Sequence, residues 1–167
     1  MVTENELEHL MNTYGDYIAR MCYIYLKNQT LAEDATQEVF IKAYKNMESF
    51  RGEASEKTWL TSIAINVCKG YARTNWLRKV QFGLEKVLAG QHEEDNVMQQ
   101  ISKSDLLVRV MALPTKYREV ILLFYYQDFK VSEIAKLLEV SESTIKMRLN
   151  RARKKMKEEL KGEYMYG

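Results

Sequence analysis

The chain has 167 residues, of which 46% are hydrophobic and 29% are charged, and its formal net charge is +2. One proline and seven glycines are too few for a turn-rich all-β fold, so helices are favoured. The longest apolar run, residues 120–126, is far shorter than the roughly 20 residues of a membrane-spanning helix. Because the N-terminus is also acidic instead of carrying a basic signal segment, we expect a soluble cytoplasmic protein.

The nearly neutral chain is divided into blocks of opposite charge. Residues 1–56 carry 5 basic and 10 acidic side chains, whereas residues 57–86 carry 6 and 1. Residues 87–145 carry 6 basic and 9 acidic side chains, and residues 146–167 carry 8 basic and 3 acidic side chains. Two separate basic blocks predict two contacts with a polyanion.

Three amphipathic helices are predicted in the first part of the chain. Apolar residues, Met11 among them, recur at steps of three and four and predict a first helix that ends near Lys27. The segment TLAE predicts a capping box between Thr30 and Glu33 at the start of a second helix, which runs to about Met47. The third helix is predicted from residue 58 to about residue 74. The two isolated cysteines, Cys22 and Cys68, fall on apolar stripes and are predicted to be buried.

The second helix combines carboxylates with apolar side chains on the face opposite its apolar stripe. An outward isoleucine and tyrosine among charged residues are unusual for a surface that only meets water, so this face indicates a protein contact. A merely solvated face remains the alternative. The outward residues are Asp34, Gln37, Glu38, Ile41, Tyr44 and Lys45.

The third helix follows a polar loop, SFRGEASEK, that has cations and an aromatic residue beside it. Arg51, Lys57 and Trp59 are of the types that a single-strand or base-flipping site requires, although Trp59 taken alone is better explained as a core residue. The helix is predicted to present a mildly basic, hydrogen-bonding face opposite its core stripe. That face contains Thr58, Ser62, Ile65, Asn66, Lys69 and Arg73.

The sequence predicts an all-α fold with two small helical domains, residues 1–76 and 104–167, joined by a flexible linker over residues 77–103. In the second domain a short helix capped by Ser132 and a basic helix capped by Ser141 give the helix-turn-helix pattern. A further helix is predicted from Tyr117 to Tyr126, and the last helix to about Leu160. No cluster of metal ligands is recognisable in the sequence.

The last helix is predicted to have two sides. Leu149, Ala152 and Met156 lie within about 40° of Ile145 on a helical wheel, and the four residues would pack inward. The outward set, suited to base edges in a major groove, is Lys146, Met147, Asn150, Arg151 and Lys154. Arg148, Arg153 and Lys155 lie further round and suit phosphates. The alternative is a basic terminus that serves only solubility and the helix dipole.

Two long segments resemble the extracytoplasmic-function sigma factors, two-domain members of the bacterial sigma-70 family. They are AEDATQEVFIKAYKNMESFRGEASEKTWLTSIAINVCKGYAR and LPTKYREVILLFYYQDFKVSEIAKLLEVSESTIKMRLNRARKKM. The resemblance implies a protein that binds core RNA polymerase, directs it to a two-part promoter and assists melting, without catalysis, cofactor, metal or small-molecule substrate. A stand-alone helix-turn-helix regulator is the alternative.

The resemblance also implies partners and roles for particular residues. The partners are the beta-prime clamp helices and beta flap of core polymerase, promoter DNA, and an anti-sigma factor that is often membrane-bound. The implied polymerase contacts are Asp34, Gln37, Glu38, Ile41 and Lys45. The implied minus 10 contacts are Phe50, Arg51, Lys57, Trp59, Ser62, Asn66, Lys69 and Arg73. The implied minus 35 contacts are Thr144, Lys146, Met147, Arg148, Asn150, Arg151, Arg153 and Lys154. Ile65, Ser143 and Met147 depart from the family pattern, so base preferences do not transfer.

Overall fold

The computed structural model describes residues 4–82 and 105–166. Over these two ranges the chain is helical without strands and forms two compact units, one on either side of residues 83–104. The prediction of an all-α fold with two helical domains is therefore confirmed. The third helix runs to Phe82 and so includes the start of the segment predicted as a linker. The rest of that segment lies outside the described residues.

The first unit is a bundle of three mutually packed helices. They are α1 (Glu4–Leu26), α2 (Gln29–Asn46) and α3 (Glu56–Phe82), with a 3-10 turn at Met47–Ser49. Small side chains on α2 let the helices approach closely, and larger ones from α1 and α3 fill the centre. The fully buried residues include Ile18, Met21, Cys22, Ala35, Val39, Ala43, Leu60, Ala64, Ile65 and Cys68. The predicted burial of both cysteines is thus confirmed.

A tight turn joins α1 to α2, and its cap differs from the prediction. Lys27 has a positive φ of 55°, and its N–H donates to the Tyr23 carbonyl at 2.7 Å. The Asn28 side chain then accepts from the Leu31 N–H at 3.0 Å and caps α2. The predicted Thr30–Glu33 capping box is wrong, because Asn28 precedes Thr30 and already starts the helix. Asparagine at the N-cap is as effective as serine or threonine.

Two side chains of the first unit lie on the opposite side from the prediction. Ile65 was assigned to the outward face of α3 but has no exposed surface. Since α3 packs against both α1 and α2, its buried arc is wider than one stripe and takes in this isoleucine. Met11 was assigned to the core of α1 but is 49% exposed, because Leu10 takes the inward position of that turn.

The second unit packs its last helix against the others. Its helices are α4 (Asp105–Ala112), α5 (Thr115–Ile121), α6 (Val131–Leu138) and α7 (Glu142–Tyr166). The single helix predicted over residues 117–126 is α5 followed by a π-helical segment, Leu122–Tyr126. The buried apolar residues are Val110, Met111, Leu113, Tyr117, Val120, Ile121, Leu122, Leu123, Phe129, Ile134, Ala135, Leu138, Ile145, Leu149 and Ala152.

The turn between α6 and α7 is fixed by a left-handed residue. Glu139 has a φ of 57°, its N–H donates to the Lys136 carbonyl, and the Val140 N–H donates to the Ala135 carbonyl at 3.0 Å. This is a Schellman motif, in which glycine is the usual left-handed residue. Ser141 Oγ accepts from the Thr144 N–H at 3.2 Å, so the predicted cap of α7 is confirmed.

The start of α6 differs from the prediction. The Glu133 carboxylate accepts from the Lys130 N–H at 3.1 Å, and the helix begins at Val131. Ser132 is therefore already inside the first turn and does not cap it. A serine preceding an apolar run was a weaker signal than the glutamate that reaches back from the third helical position.

Candidate nucleic-acid interface

The last helix has the two sides that its sequence predicts. Ile145, Leu149 and Ala152 are buried and Met156 is half-buried, so the apolar stripe holds α7 on the unit. Its opposite side is exposed at every position predicted to face a partner: Lys146, Met147, Asn150, Arg151 and Lys154. A helix of this shape fits a major groove, with three cations, one amide and one thioether directed outward.

Two arginines of the predicted minus 35 set are engaged within the unit. The Arg148 guanidinium lies 3.8 Å from the Glu119 carboxylate of α5, and their side chains are only 23% and 9% exposed. Arg153 Nε donates to the Tyr125 hydroxyl at 2.6 Å, and its Nη1 donates to Asn150 Oδ1 at 3.1 Å. Arg148 thus faces the protein, while Arg153 lies at the edge of the outward face, between Tyr125 and Asn150.

Two lysines lie over the ring of Tyr117 of α5, beside α7. Lys116 Nζ is 5.0 Å and Lys155 Nζ is 5.7 Å from the centroid of that ring. A hydrogen bond from Arg151 is the main cause of the lowered pKa of the Tyr117 hydroxyl. The cluster extends the basic surface beyond the last helix. Lys116 and Tyr117 lie outside the basic run, so no pattern in the sequence indicated them as part of this surface.

The α2 surface carries both apolar and acidic groups. Ile41 is 53% exposed and Tyr44 is 41% exposed, large fractions for apolar side chains in a packed bundle. Asp34, Gln37 and Lys45 are exposed around them. The outward face predicted for α2 is therefore present as a contiguous helical surface.

Glu38 is the member of this surface that the bundle holds in place. It is half-buried, and its carboxylate lies 3.2 Å from Lys42 Nζ. Burial, followed by a hydrogen bond to Glu38, raises the pKa of the Tyr71 hydroxyl of α3. The two contacts place the Glu38 carboxylate between Lys42 of α2 and Tyr71 of α3.

The loop before α3 brings two aromatic rings together. The Phe50 and Trp59 ring centroids lie 4.8 Å apart at an interplanar angle of 33°, and both side chains are half-buried. Gly52 has a φ of 71°, which suits glycine in the loop, and Ser55 Oγ accepts from the Thr58 N–H at 3.1 Å and caps α3. The sequence left Trp59 open between a core and a site role, and its half-burial is compatible with both.

A cleft of about 420 Å³ opens beside these rings. Leu10, Met47 and the two rings give it apolar walls. The rest of the lining is polar and comes from Asn5, Glu6 and His9 of α1 and Glu56 of α3. His9 Nε2 lies 3.6 Å from the Glu56 carboxylate. The sequence did not associate the first turns of α1 with the loop, since some 45 residues separate them.

The basic residues around the loop differ in how free they are. Arg51 is exposed, whereas Lys57 Nζ lies 4.5 Å from the Tyr17 ring centroid in a cation–π contact. Further along α3, Asn66 and Arg73 are exposed and Lys69 is half-buried. Ser62 uses its hydroxyl to donate to the Thr58 carbonyl at 3.0 Å. The predicted basic face of α3 thus exists without Ile65.

Two further properties bear on the kind of site. Over residues 4–82 and 105–166, no group of three or more His, Cys, Asp or Glu side chains is arranged to hold a metal ion. None of the helices in those ranges is long and apolar enough to cross a membrane.

Comparison with known proteins assigns both units. The family description "Sigma-70 region 2" matches residues 10–78, and "Sigma-70, region 4" matches residues 104–156. The chain is 31% identical over 166 residues to the ECF RNA polymerase sigma factor SigW of Bacillus subtilis, covering 91% of this chain and 87% of SigW. It is 30% identical over 131 residues to the ECF RNA polymerase sigma-E factor of Escherichia coli K12, covering 72% and 69%.

The two regions define a sigma-70 initiation factor. The chain belongs to the extracytoplasmic-function (ECF) family of RNA polymerase sigma factors. Sigma factors are transcription initiation factors and not catalysts in themselves. A stand-alone helix-turn-helix regulator, the alternative from the sequence, is not favoured, because the region 2 match and the α2 surface would have no place in it.

Solved structures support the same fold. The sigma factor RpoE of Bartonella quintana, solved with the anti-sigma factor NepR, superposes with a TM-score of 0.67 at 20% identity, covering 93% of this chain and 97% of RpoE. CnrH, solved with the cytosolic domain of CnrY, gives a TM-score of 0.65 at 22% identity, covering 96% and 90%.

Proposed function

We propose that this chain binds core RNA polymerase through α2, carries it to two-part promoters read by α3 and α7, and assists melting without a catalytic step. The observation that carries the proposal is the exposed face of α2, where Ile41 and Tyr44 stand among acidic residues. DNA binding alone does not explain such a face, because its carboxylates would repel phosphates and its apolar side chains would stay exposed. A helix of the beta-prime clamp would bury both apolar side chains.

The polymerase contact is proposed to combine burial with charge. Fully burying an isoleucine side chain contributes about 1.5–3 kcal/mol. Since Ile41 is 53% exposed before binding, the contact would gain about half of that range from it. Asp34, Gln37, Glu38 and Lys45 would surround it and set the orientation. Glu38, already fixed by Lys42 and Tyr71, loses little conformational freedom on binding.

The minus 35 element is proposed to meet the outward face of α7. The residues that would reach base edges are Lys146, Met147, Asn150, Arg151 and Lys154, and Thr144, Arg148 and Arg153 would flank them. We assign Arg148 mainly to the stability of the unit, because its guanidinium faces Glu119. The remaining cations would contact phosphates, which makes binding strongly dependent on salt concentration.

The minus 10 element is proposed to meet the loop and the exposed side of α3. A base leaving the duplex costs a few kcal/mol, which stacking on the Phe50–Trp59 pair would offset. Carboxylates at the cleft repel phosphates, so the strand would run on the side of Arg51 and Lys57, with Asn66, Lys69 and Arg73 further along it. Ser62 would lie beside the strand without donating to it, since its hydroxyl donates to the Thr58 carbonyl within α3.

The proposal assigns residues 1–76 to polymerase binding and minus 10 recognition, residues 77–103 to a linker, and residues 104–167 to minus 35 recognition and the beta flap. It also includes a cytoplasmic site of action and an anti-sigma factor, often membrane-bound, that masks these surfaces. The structure of RpoE with NepR supports regulation of this kind.

The test is binding to purified core polymerase, followed by run-off transcription from candidate promoters. We expect Ile41→Asn to weaken the complex by about tenfold, because the apolar contact is lost and a polar amide must be buried in its place. The matched control is Met11→Asn, a large apolar residue that is 49% exposed in the same unit but lies outside the proposed contact.

Equal weakening by both variants would contradict the assignment of α2. Failure of the wild-type chain to bind core polymerase would contradict the proposed function itself. Circular dichroism of both variants verifies that the bundle is intact, which is expected because neither side chain is buried.

A further inference from the structure

A chain of contacts runs from the π-helical segment to the outward face of α7. Tyr125 accepts from Arg153 Nε at 2.6 Å, and Arg153 Nη1 donates to Asn150 Oδ1 at 3.1 Å. The Arg153 guanidinium also lies 5.4 Å from the Tyr125 ring centroid and 5.9 Å from that of Phe124. Contacts with three residues therefore hold this arginine beside an exposed asparagine.

The orientation of the Asn150 amide follows from the chemistry of its neighbour. A guanidinium has five N–H donors and no acceptor, so the amide atom that faces it is the oxygen. The Asn150 NH₂ group is then the part directed away from Arg153, toward the exposed side of α7. Asn150 thus presents its donors outward, while its oxygen is turned toward Arg153, which uses one of the two oxygen lone pairs.

This orientation matters for base recognition. Asparagine reads adenine through a pair of bonds, in which the amide oxygen accepts from N6 and the amide nitrogen donates to N7. An amide whose oxygen is held by Arg153 is poorly disposed to make that pair. Its free N–H groups match base edges that carry acceptors in the major groove, namely guanine O6 and N7 and thymine O4.

We propose that Tyr125, outside the recognition helix, is a specificity-determining positioning residue that acts through Arg153 on Asn150. It directs Asn150 toward guanine or thymine and away from adenine at one position of the upstream element. This inference rests on the proposed function, because it requires that α7 read promoter DNA. Tyr125 itself touches no base in this proposal.

The experiment is selection of promoters with a randomised upstream element by the full-length chain bound to core polymerase, followed by sequencing of the bound fraction. Tyr125→Phe keeps the ring and removes only the hydroxyl that holds Arg153. We expect it to raise the adenine share relative to guanine or thymine at one upstream position by about fivefold or more, the lower end of one good base contact. Other positions should keep their profile.

Tyr126→Phe is the matched control, since Tyr126 is the next residue, is similarly exposed and lies outside the contact chain. It should leave the profile unchanged. Asn150→Asp is a second, independent variant at an exposed position. Because a carboxylate only accepts, this variant should lose the preference for guanine or thymine at that position and favour cytosine, whose N4 donates.

The outcomes separate this inference from the function on which it rests. If the wild type selects an upstream element and Asn150→Asp changes one position while Tyr125→Phe changes none, Tyr125 has no positioning role. If both variants leave the profile unchanged, Asn150 does not read a base and the inference is wrong. If the wild-type complex selects no upstream element at all, the proposed function fails first, and the inference fails with it.

Discussion

Arg148 of α7 and Glu119 of α5 form an ion pair at 3.8 Å, with Glu119 almost entirely enclosed. The pair joins the helix that carries the basic face to the core of its unit. An enclosed carboxylate that loses a cationic neighbour costs more than a surface pair contributes, because the charge stays in a poorly solvated place. This relationship gives Arg148 a role in stability that its position in a basic run did not suggest.

We expect Arg148→Ala to lower the free energy of unfolding of the second unit by about 1–3 kcal/mol. Urea unfolding of the full chain, followed by circular dichroism, measures the change. Lys146→Ala, two residues away and exposed, is the control and should stay within about 0.5 kcal/mol of wild type. Similar losses for the two variants would contradict the ion pair as the cause.

The left-handed Glu139 predicts a stabilising substitution. An L-residue in this conformation costs roughly 1–2 kcal/mol, and glycine avoids the cost but loses more chain entropy on folding. We expect Glu139→Gly to raise the free energy of unfolding by up to about 1 kcal/mol, measured by the same urea titration.

Lys136→Gly places the same residue in the middle of α6 at another exposed site. It should lower stability by about 1 kcal/mol, because helical φ gives glycine no advantage. A loss of stability in Glu139→Gly as large as that of Lys136→Gly would show that the Schellman turn is not strained.

The enclosed cysteines predict a dependence on pH. A hydrogen bond to the Cys22 thiol, and then burial, raises the pKa of the Cys68 thiol far above its ordinary value of 9.0. Below that ordinary value both states hold the proton, and stability is complete. Above it the unfolded chain releases the proton and the folded chain does not, so stability falls as pH rises.

The two thiols are coupled, since the hydrogen bond to Cys68 is also the main cause of the lowered pKa of the Cys22 thiol, so the variant that removes this pH dependence replaces both cysteines by alanine. We expect the stability advantage of wild type over the Cys22→Ala, Cys68→Ala double variant to shrink above about pH 9, by up to about 1.4 kcal/mol per pH unit for the proton that the folded pair retains. Thermal unfolding at each pH provides the measurement. A constant advantage up to pH 10.5 would contradict the raised pKa.

The outward residues of α7 predict two different effects on DNA binding. Arg151→Ala should weaken use of particular upstream elements, by about 1–3 kcal/mol for a base contact. Lys155→Ala should weaken all promoters evenly and make the slope of log affinity against log salt concentration shallower by about 0.9. Titration of promoter variants with the polymerase complex at several salt concentrations distinguishes them. Equal effects of both substitutions on every promoter would refute the division of the face.

The apolar spacing of the sequence was enough to predict the helices and most of their faces. Ile145, Leu149 and Ala152 recur at the helical period, and the opposite face of α7 followed from geometry alone. The same method misplaced Ile65, because a single stripe cannot represent a helix that packs on two neighbours. The helical period therefore predicts the buried residues correctly only for a helix that packs on one side.

Caps and side-chain contacts were harder to predict. Thr30 and Asn28 both suit an N-cap, and the choice depended on the backbone at Lys27, which the sequence does not specify. The contact between Tyr125 and Arg153 joins residues 28 positions apart and depends on the π-helical segment between α5 and α6. No periodic pattern reports a contact of that kind.

The π-helical segment at residues 122–126 has one more consequence, which concerns chain length. A π-helical turn closes one residue later than an α-helical turn, so this segment holds one residue more than an α-helix would over the same turn. Deleting one residue here would restore an unbroken α-helix and carry the Tyr125 hydroxyl away from Arg153. A one-residue deletion within α5, where no such excess exists, would instead shift Val120 and Ile121 out of the core. On the proposed role of Tyr125, shortening the chain by one residue in this segment would change upstream promoter choice from a site far from α7 in sequence.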